Sequence, residues 1–245
     1  TVDYTIDKTN PTASITDPSD GDVVSSQPSI IGSSSDNKQV AGVELTITDV
    51  ATNETWNGTE FTSTTTTVTA TADDGSFNSG NEAWTYNSPP IANGDYRVEA
   101  TVTDEAGNTG TSSTVGYTIE TTDPTVSITD PRDGEVISSL SSISGSSSDN
   151  DQVAGVELTI TDVATNETWN GTEFTTTETT VEASADDGNF NSDKENWSYK
   201  SPPGNEGEYT VEATAIDGAG NRSISTAVEY TIDATNPVVS ITDPS

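Results

Sequence analysis

The chain has 245 residues, of which 41 are acidic and 7 basic, giving a formal net charge of −34 at pH 7. Without a basic surface it is excluded as a binder of nucleic acid or of anionic membranes. It contains no Cys and no His, which excludes disulfides and catalytic triads built on those residues. Its apolar runs are far shorter than the roughly 18 residues of a membrane span.

Alternation of apolar and polar residues predicts β-strands along the whole chain, and no segment shows an apolar stripe with helical spacing. Val43, Leu45 and Ile47 alternate with polar residues, and a second such run begins at Tyr96. Gly-containing turn signals such as Asn93-Gly94 separate the runs. The predicted strands of the first half lie near residues 12–16, 29–33, 42–49, 54–57, 64–71, 82–87, 95–103 and 112–119.

The whole pattern recurs after 113 residues, since Ser14 returns as Ser127 and residues 40–62 recur unchanged as 153–175. A period of this length fits one small domain rather than a solenoid unit. Seven to eight short strands per period predict an all-β fold of tandem immunoglobulin-like sandwiches. Trp84, Tyr96 and Tyr117 are the expected core aromatics.

The phase of the repeat predicts the domain boundaries. Residues 1–9 match the end of a repeat, 10–120 and 121–233 form two complete repeats, and 234–245 match the start of another. We expect the chain to be a segment of a longer array. The alternative is that its ends merely extend beyond two domains.

Three motifs carry a resemblance to a known family. They are Pro-x-x-x-Ile-x-x-Pro-x-Asp-Gly at 11–21, Gly-x-x-Ser-Asp-Asn at 32–37, and Asp-x-Ala-Gly-Asn at 104–108 and 217–221. With them the chain resembles, over its whole length, the tandem bacterial and archaeal Ig-like domains of giant extracellular surface proteins. The resemblance implies an Ig-like sandwich fold, a location at the cell surface, and a stalk, adhesin arm or filament without catalytic activity.

Calcium is the cofactor that the resemblance implies, because in several relatives the Asp of Asp-x-Ala-Gly-Asn and acids of the linker hold it. Sandwich topology separately places the second and third motifs at the end of each domain where its first strand begins. Oxygen ligands from several loops suit Ca²⁺, which takes six to eight of them. The candidate ligands are Asp7, Asp36, Asn37, Asp104, Asn108, Glu120, Asp123, Asp149, Asn150, Asp217 and Asn221. The competing interpretation, equally weighted, is that carboxylates gather at every loop in so acidic a chain.

Two further features concern carbohydrate. Asn53, Asn57, Asn166 and Asn170 lie in sequons in predicted exposed turns and are candidate glycosylation acceptors. Trp56 and its equivalent Trp169 could stack on a sugar, but the favoured interpretation is that each closes an edge of its sandwich and is half exposed.

The leading hypothesis is therefore a non-catalytic structural repeat, whose partners are neighbouring repeats of the same chain and, in a filament or surface layer, lateral copies. The alternatives are a module that binds carbohydrate or protein, and an accessory domain of a secreted hydrolase. Near-identity of the two repeats favours the structural role, because binding sites often diversify. The acidic, Lys-poor composition is typical of proteins from salt-loving organisms and is equally compatible with a calcium-loaded surface.

Overall fold

The computed structural model describes residues 6–27 and 29–240, so the outer parts of the terminal repeat fragments, 1–5 and 241–245, lie outside the described residues. The chain divides into two compact units, Thr1–Thr121 and Thr122–Ser245. The described residues form strands and turns without helices, as the alternating pattern predicts. Accordingly, this part of the chain has no helix long and apolar enough to cross a membrane.

The first unit is a sandwich of two sheets. Its strands are β1 (Thr12–Asp17), β2 (Asp22–Val24), β3 (Ile30–Ser35), β4 (Val40–Asp49), β5 (Thr55–Trp56), β6 (Phe61–Thr62), β7 (Val68–Thr69), β8 (Thr71–Ala72), β9 (Asn81–Tyr86), β10 (Gly94–Asp104), β11 (Thr109–Thr111) and β12 (Val115–Ile119). One sheet has the order β1-β3-β9-β8, and the other has the order β2-β12-β10-β4-β5-β6, with β7 on β4 and β11 on β10. The β2–β12 pair is parallel, whereas the other pairs of the unit are antiparallel.

The second unit repeats this topology strand for strand. Its strands are β13 (Thr125–Asp130), β14 (Glu135–Ile137), β15 (Ile143–Ser148), β16 (Val153–Asp162), β17 (Glu167–Trp169), β18 (Phe174–Thr175), β19 (Val181–Glu182), β20 (Ser184–Ala185), β21 (Lys194–Tyr199), β22 (Gly207–Asp217), β23 (Arg222–Ile224) and β24 (Val228–Ile232). Repetition of the sequence is therefore matched by repetition of the sheet pairing.

The core of each unit forms where the apolar residues of its two sheets meet. Leu45 and Ile47 of β4 and Val98 and Ala100 of β10 are fully buried. Trp84 is also fully buried, and Tyr96 and Tyr117 are nearly so, which confirms the predicted core aromatics. Close packing extends to the backbone, because a Cβ at Gly32 would lie only 2.1 Å from Cζ2 of Trp84.

The strand predicted over 64–71 is wrong as one element. The chain forms β7, which pairs with β4, and then β8, which pairs with β9 in the other sheet. Val68, Ala70 and Ala72 all point inward, so the alternation that suggested one strand continues while the backbone changes sheets. Sequence reasoning also missed β2, β6 and β11.

The Thr-rich segment after β6 folds back on its own sheet. Thr66 N–H donates to Thr55 Oγ1 at 2.8 Å, and Thr55 Oγ1 in turn bonds to Thr64 O at 3.1 Å. Thr62 Oγ1 also donates to Thr64 O, at 2.9 Å. These hydroxyl contacts tie the Thr-rich segment to β5 within the unit.

Candidate metal site

Three predicted ligands of the first unit come together at one end of the sandwich. Asp7 precedes β1, Asp36 follows β3, and Asp104 ends β10, and each offers a carboxylate oxygen within 4.8 Å of the others. Asp104 is almost fully buried, whereas Asp7 and Asp36 are half-buried. The structure thus brings together three residues that the topology argument places at this end.

The Asp-x-Ala-Gly-Asn motif is a turn that holds its own Asp. Both Asn108 N–H and Asn108 Nδ2 donate to the Asp104 carboxylate, at 2.7 Å each, and Asp104 N–H donates back to Asn108 O at 3.0 Å. Gly107 takes a φ of 87°, which favours Gly over other residues. The motif residues therefore form a closed, pre-shaped loop.

Asp104 remains ionised in this loop in spite of its burial. Burial raises the pKa of its carboxyl, but hydrogen bonds from Asn108, Ala106 and Gly107 outweigh that effect, and the pKa lies below its ordinary value. The carboxylate is thus ready to attract a cation at neutral pH.

Asn108 also ties the loop to the segment before β1. Its Nδ2 donates to the backbone carbonyl of Asp7 at 3.3 Å. This contact positions Asp7 beside Asp104, so Asn108 orients two candidate ligands as well as being one itself.

The Asn37 amide lies against the same carboxylates, 3.1 Å from Asp7 Oδ2 and 3.1 and 3.2 Å from the two oxygens of Asp36. With its NH₂ turned inward, it donates hydrogen bonds to both acids. Turned the other way, it presents a fourth side-chain oxygen to the cluster. The amide is therefore compatible with the bare carboxylates and with a cation between them.

The second unit repeats the turn. Asn221 N–H and Nδ2 each donate to Asp217 at 2.7 Å. Asp149 Oδ2 accepts from Asp151 N–H at 2.9 Å, while Asp149 Oδ1 is buried without a hydrogen-bond partner among the described residues. An orphaned buried carboxylate oxygen is costly unless a cation or a donor satisfies it.

The remaining predicted ligands differ from one another in environment. Glu120, directly after β12, is buried and accepts a hydrogen bond from Asn93 Nδ2 at 3.3 Å. Asp123 and Asn150 lie exposed on loops of the second unit.

Two candidate glycosylation acceptors of the first unit lie in tight turns, and both are exposed. Asn53 has a φ of 57°, and Asn166 repeats it with 59°. Asn57 Oδ1 accepts from Thr59 N–H and Thr59 Oγ1 at 2.9 Å each. Asn170 makes the same contacts with Thr172.

Trp56 is part of an aromatic row that closes the end of the sheet. It is half-buried and its ring lies 5.1 Å from that of Phe61, which stacks on Tyr96 at 5.7 Å. Its indole N–H donates to Tyr86 Oη at 3.2 Å and to Ser88 O at 3.1 Å. Because the ring and its N–H are engaged within the unit, the contacts support the edge-closing interpretation over a sugar platform. Sequence reasoning missed Phe61, although it shares the β5–β6 hairpin with Trp56.

The two sandwiches and their repeated strand pairing define the class as immunoglobulin-like β-sandwich modules. Sequence profiles described as bacterial Ig-like domain match residues 46–121 and 170–234. The chain therefore contains two bacterial Ig-like domains in tandem. Domains of this class are typically non-catalytic modules and are common in extracellular proteins.

Solved structures with similar architecture share little sequence with the chain. Fibronectin(III)-like modules of Clostridium thermocellum CbhA are 14% identical, with 94% of this chain and 100% of that chain covered and a TM-score of 0.47. The FN1–FN3 domains of chicken CNTN1 are 14% identical, with 91% and 67% covered and a TM-score of 0.41.

Dimeric latent PorU from Porphyromonas gingivalis is 17% identical, with 94% of this chain but 21% of that chain covered and a TM-score of 0.31. At these identities and TM-scores no functional inference follows from any of the three structures. None of the curated proteins compared with the chain matched it.

Proposed function

We propose that the chain is a structural segment of an extracellular surface protein, in which each Ig-like unit is a mechanical spacer that resists tension along the chain. Its partners are the neighbouring repeats of the same protein. The observation that carries this proposal is the parallel pairing of β2 with β12, the strands near the two ends of the unit.

Backbone contacts fasten this pair along its whole length. Gly21 N–H donates to Gly116 O at 2.7 Å, and Glu120 N–H donates to Val24 O at 2.9 Å. Asp20 adds a side-chain contact, since its Oδ1 accepts from Gly116 N–H at 2.8 Å. We call this set of contacts the terminal clamp.

The geometry of the terminal clamp suits a spacer. The chain enters the unit at β1, beside β11, and leaves it at the end of β12, beside the end of β2. A pull on the two ends therefore acts along the paired strands, and the evenly spaced hydrogen bonds of the parallel pair must break together instead of one after another. Forced unfolding depends on this kinetic barrier more than on equilibrium stability.

The second unit has the same clamp. Gly134 N–H donates to Glu229 O at 2.8 Å, Glu229 N–H donates to Asp133 Oδ1 at 3.0 Å, and Asp233 N–H donates to Ile137 O at 2.8 Å. A series of spacers requires the terminal clamp in each repeat, because every unit carries the same tension.

Single-molecule forced unfolding of the chain tests the proposal. Asp20→Ala should lower the unfolding force of one of the two units, and Asp133→Ala should lower that of the other. Asp73→Ala is the matched control, because it removes a 2.8 Å contact from Thr85 Oγ1 in the opposite sheet. Clamp variants that unfold at the wild-type force, or a control that weakens a unit equally, would refute the mechanical role of the clamp.

The proposal includes calcium as a stiffening ligand in the first unit. Asp7, Asp36 and Asp104 supply carboxylate oxygens, with Asn37 as the amide ligand. A bound Ca²⁺ would join the segment before β1 to the loops after β3 and β10. In the second unit, the orphaned Asp149 oxygen beside the equivalent motif supports a corresponding role.

Thermal unfolding with millimolar CaCl₂ or with EGTA tests the metal site. Calcium should raise the melting temperature, because a ligand that binds only the folded state stabilises it. Asp7→Asn should reduce the shift, whereas Glu60→Gln, which neutralises an exposed acid in the turn between β5 and β6, should not. An equal shift with Mg²⁺ would show charge screening only and would exclude a calcium site.

A further inference from the structure

Besides the Tyr117 hydroxyl, two neighbouring polar groups in the core of the first unit have no hydrogen-bond partner among the described residues. Ser34 is 4% exposed and Trp84 is 0% exposed, and neither Ser34 Oγ nor Trp84 Nε1 forms a hydrogen bond with any described residue. Buried donors and acceptors are nearly always satisfied, and an unsatisfied one costs about 1–3 kcal/mol. Two such groups in one small core therefore need an explanation.

The second unit contains the same pair at equivalent positions. Ser147 Oγ and Trp197 Nε1 are also buried without a partner among the described residues. Four unsatisfied groups at repeated positions indicate a property of the fold rather than a local accident.

The sheet register brings the two groups close together. Ser34 pairs with Glu82 and Gly32 pairs with Trp84, so Ser34 and Trp84 are diagonal neighbours on adjacent strands β3 and β9. Diagonal neighbours are about 7–8 Å apart at Cα and closer at their side chains. Both side chains project to the inner face, and no direct hydrogen bond joins them.

One water molecule can satisfy two polar groups on diagonal neighbours. Two hydrogen bonds of about 2.9 Å that meet at a water oxygen span about 5–6 Å. The indole N–H can only donate and a hydroxyl can both donate and accept, so water satisfies both groups at once. Glu82, itself buried and opposite Ser34, adds a third polar group to the surroundings.

We propose that each unit binds one internal water molecule, which accepts a hydrogen bond from Trp84 Nε1 and donates one to Ser34 Oγ, and which is bound likewise by Trp197 and Ser147. The water links β3 to β9 through the core. A buried water in a protein needs about two to four polar partners, and this site offers them.

A crystal structure of the chain at near-atomic resolution tests the proposal. The expected result is a solvent peak within hydrogen-bond distance of both Trp84 Nε1 and Ser34 Oγ, and an equivalent peak in the second unit. A Ser34→Ala crystal should lose or displace the first peak and retain the second, so the second unit serves as the internal control.

Ser33→Ala is the control for the substitution itself, because Ser33 is on the outer face and its Oγ bonds to Ser14 Oγ at 2.9 Å. The proposal is overturned if the wild-type crystal shows no peak at either site or places a protein acceptor on the indole N–H. It is also overturned if the first peak is unchanged in Ser34→Ala. If the Ser34→Ala variant does not fold, the electron density of the wild-type crystal alone tests the proposal.

Discussion

The hydroxyl of Tyr96 donates to the backbone carbonyl of Ala92 at 2.8 Å, four residues earlier in the chain. Tyr209 makes the same contact with Asn205 at 3.0 Å. A Tyr near the start of the strand equivalent to β10, bonded to the backbone upstream, is a hallmark of Ig-like sandwiches. In this chain it fixes the loop that leads into β10.

Replacement of Tyr96 and of its neighbour Tyr117 by Phe should have different effects on the stability of the first unit. Tyr96→Phe should destabilise the first unit by about 1–2 kcal/mol, because the hydrogen bond to Ala92 is lost. Tyr117→Phe should be neutral or stabilising, because its buried hydroxyl has no partner among the described residues. Urea unfolding measures the stability of both variants. An equal loss of stability would contradict the assignment of a hydrogen bond to the Tyr96 hydroxyl and of none to that of Tyr117.

Gly32 should not tolerate a side chain. A Cβ there would lie 2.1 Å from Trp84 Cζ2 and 2.4 Å from Ser14 O, so Gly32→Ala should cost about 3 kcal/mol or prevent folding of the unit. Gly42→Ala is the control, because nothing lies within 4 Å of its added Cβ. Thermal unfolding compares the two, and a similar small effect of both would contradict the close packing of Trp84 on β3.

Glu82 should make stability depend on pH in the acid range. Hydrogen bonds from the backbone N–H of Asn78 and from Ser79 outweigh the effect of burial, so the pKa of Glu82 lies below its ordinary value. A group whose pKa is lower in the folded state contributes stability above its unfolded pKa of about 4.3. That contribution is lost as the pH falls through the folded pKa.

Glu82→Gln isolates this contribution, because the amide keeps an acceptor oxygen but cannot ionise. The variant should be less stable than the wild type at pH 7, and the difference should shrink as the pH falls below about 4. Glu60→Gln, in an exposed turn, is the control because it removes the same charge at a site that is not buried. Urea unfolding at several pH values measures the effect, and a difference that does not change with pH would contradict it.

The charge of −34 predicts that salt stabilises both units. Raising NaCl from about 0.1 to 1 M shortens the Debye length from about 10 to 3 Å, which screens the repulsion among the carboxylates. The urea midpoint should rise over this range in the presence of EGTA, which removes any contribution from calcium. A midpoint that stays constant would show that self-repulsion does not limit stability.

The fold could be predicted because its signals are periodic. Alternation marked the long strands such as β4 and β10, and the 113-residue repeat showed that the pattern occurs twice. The short strand β2 was missed because three residues are too few to show an alternating pattern of apolar and polar residues. Its pairing with β12 depends on a long-range contact that local sequence does not encode.

The sequence indicated the acidic residues of the candidate metal site but not the hydrogen bonds that position them. Topology brings the loops of Asp36 and Asp104 to one end of the unit, so their proximity follows from strand order. The double hydrogen bond of Asn108 to Asp104 depends on backbone geometry at Gly107, which residue types alone do not fix. Trp56 was correctly expected to be half exposed, but its contacts with Phe61 and Tyr86 required the structure.

Forced unfolding of the wild-type chain, held at its two ends, tests the spacer function most directly. The account predicts two separate events at similar force, since both units have the same clamp. Each event should lengthen the chain by roughly 340 Å, because about 110 residues extend at about 3.5 Å each from a unit about 40 Å long. Extension without two such events, or at the low force of an unfolded chain, would contradict the proposal that these units resist tension.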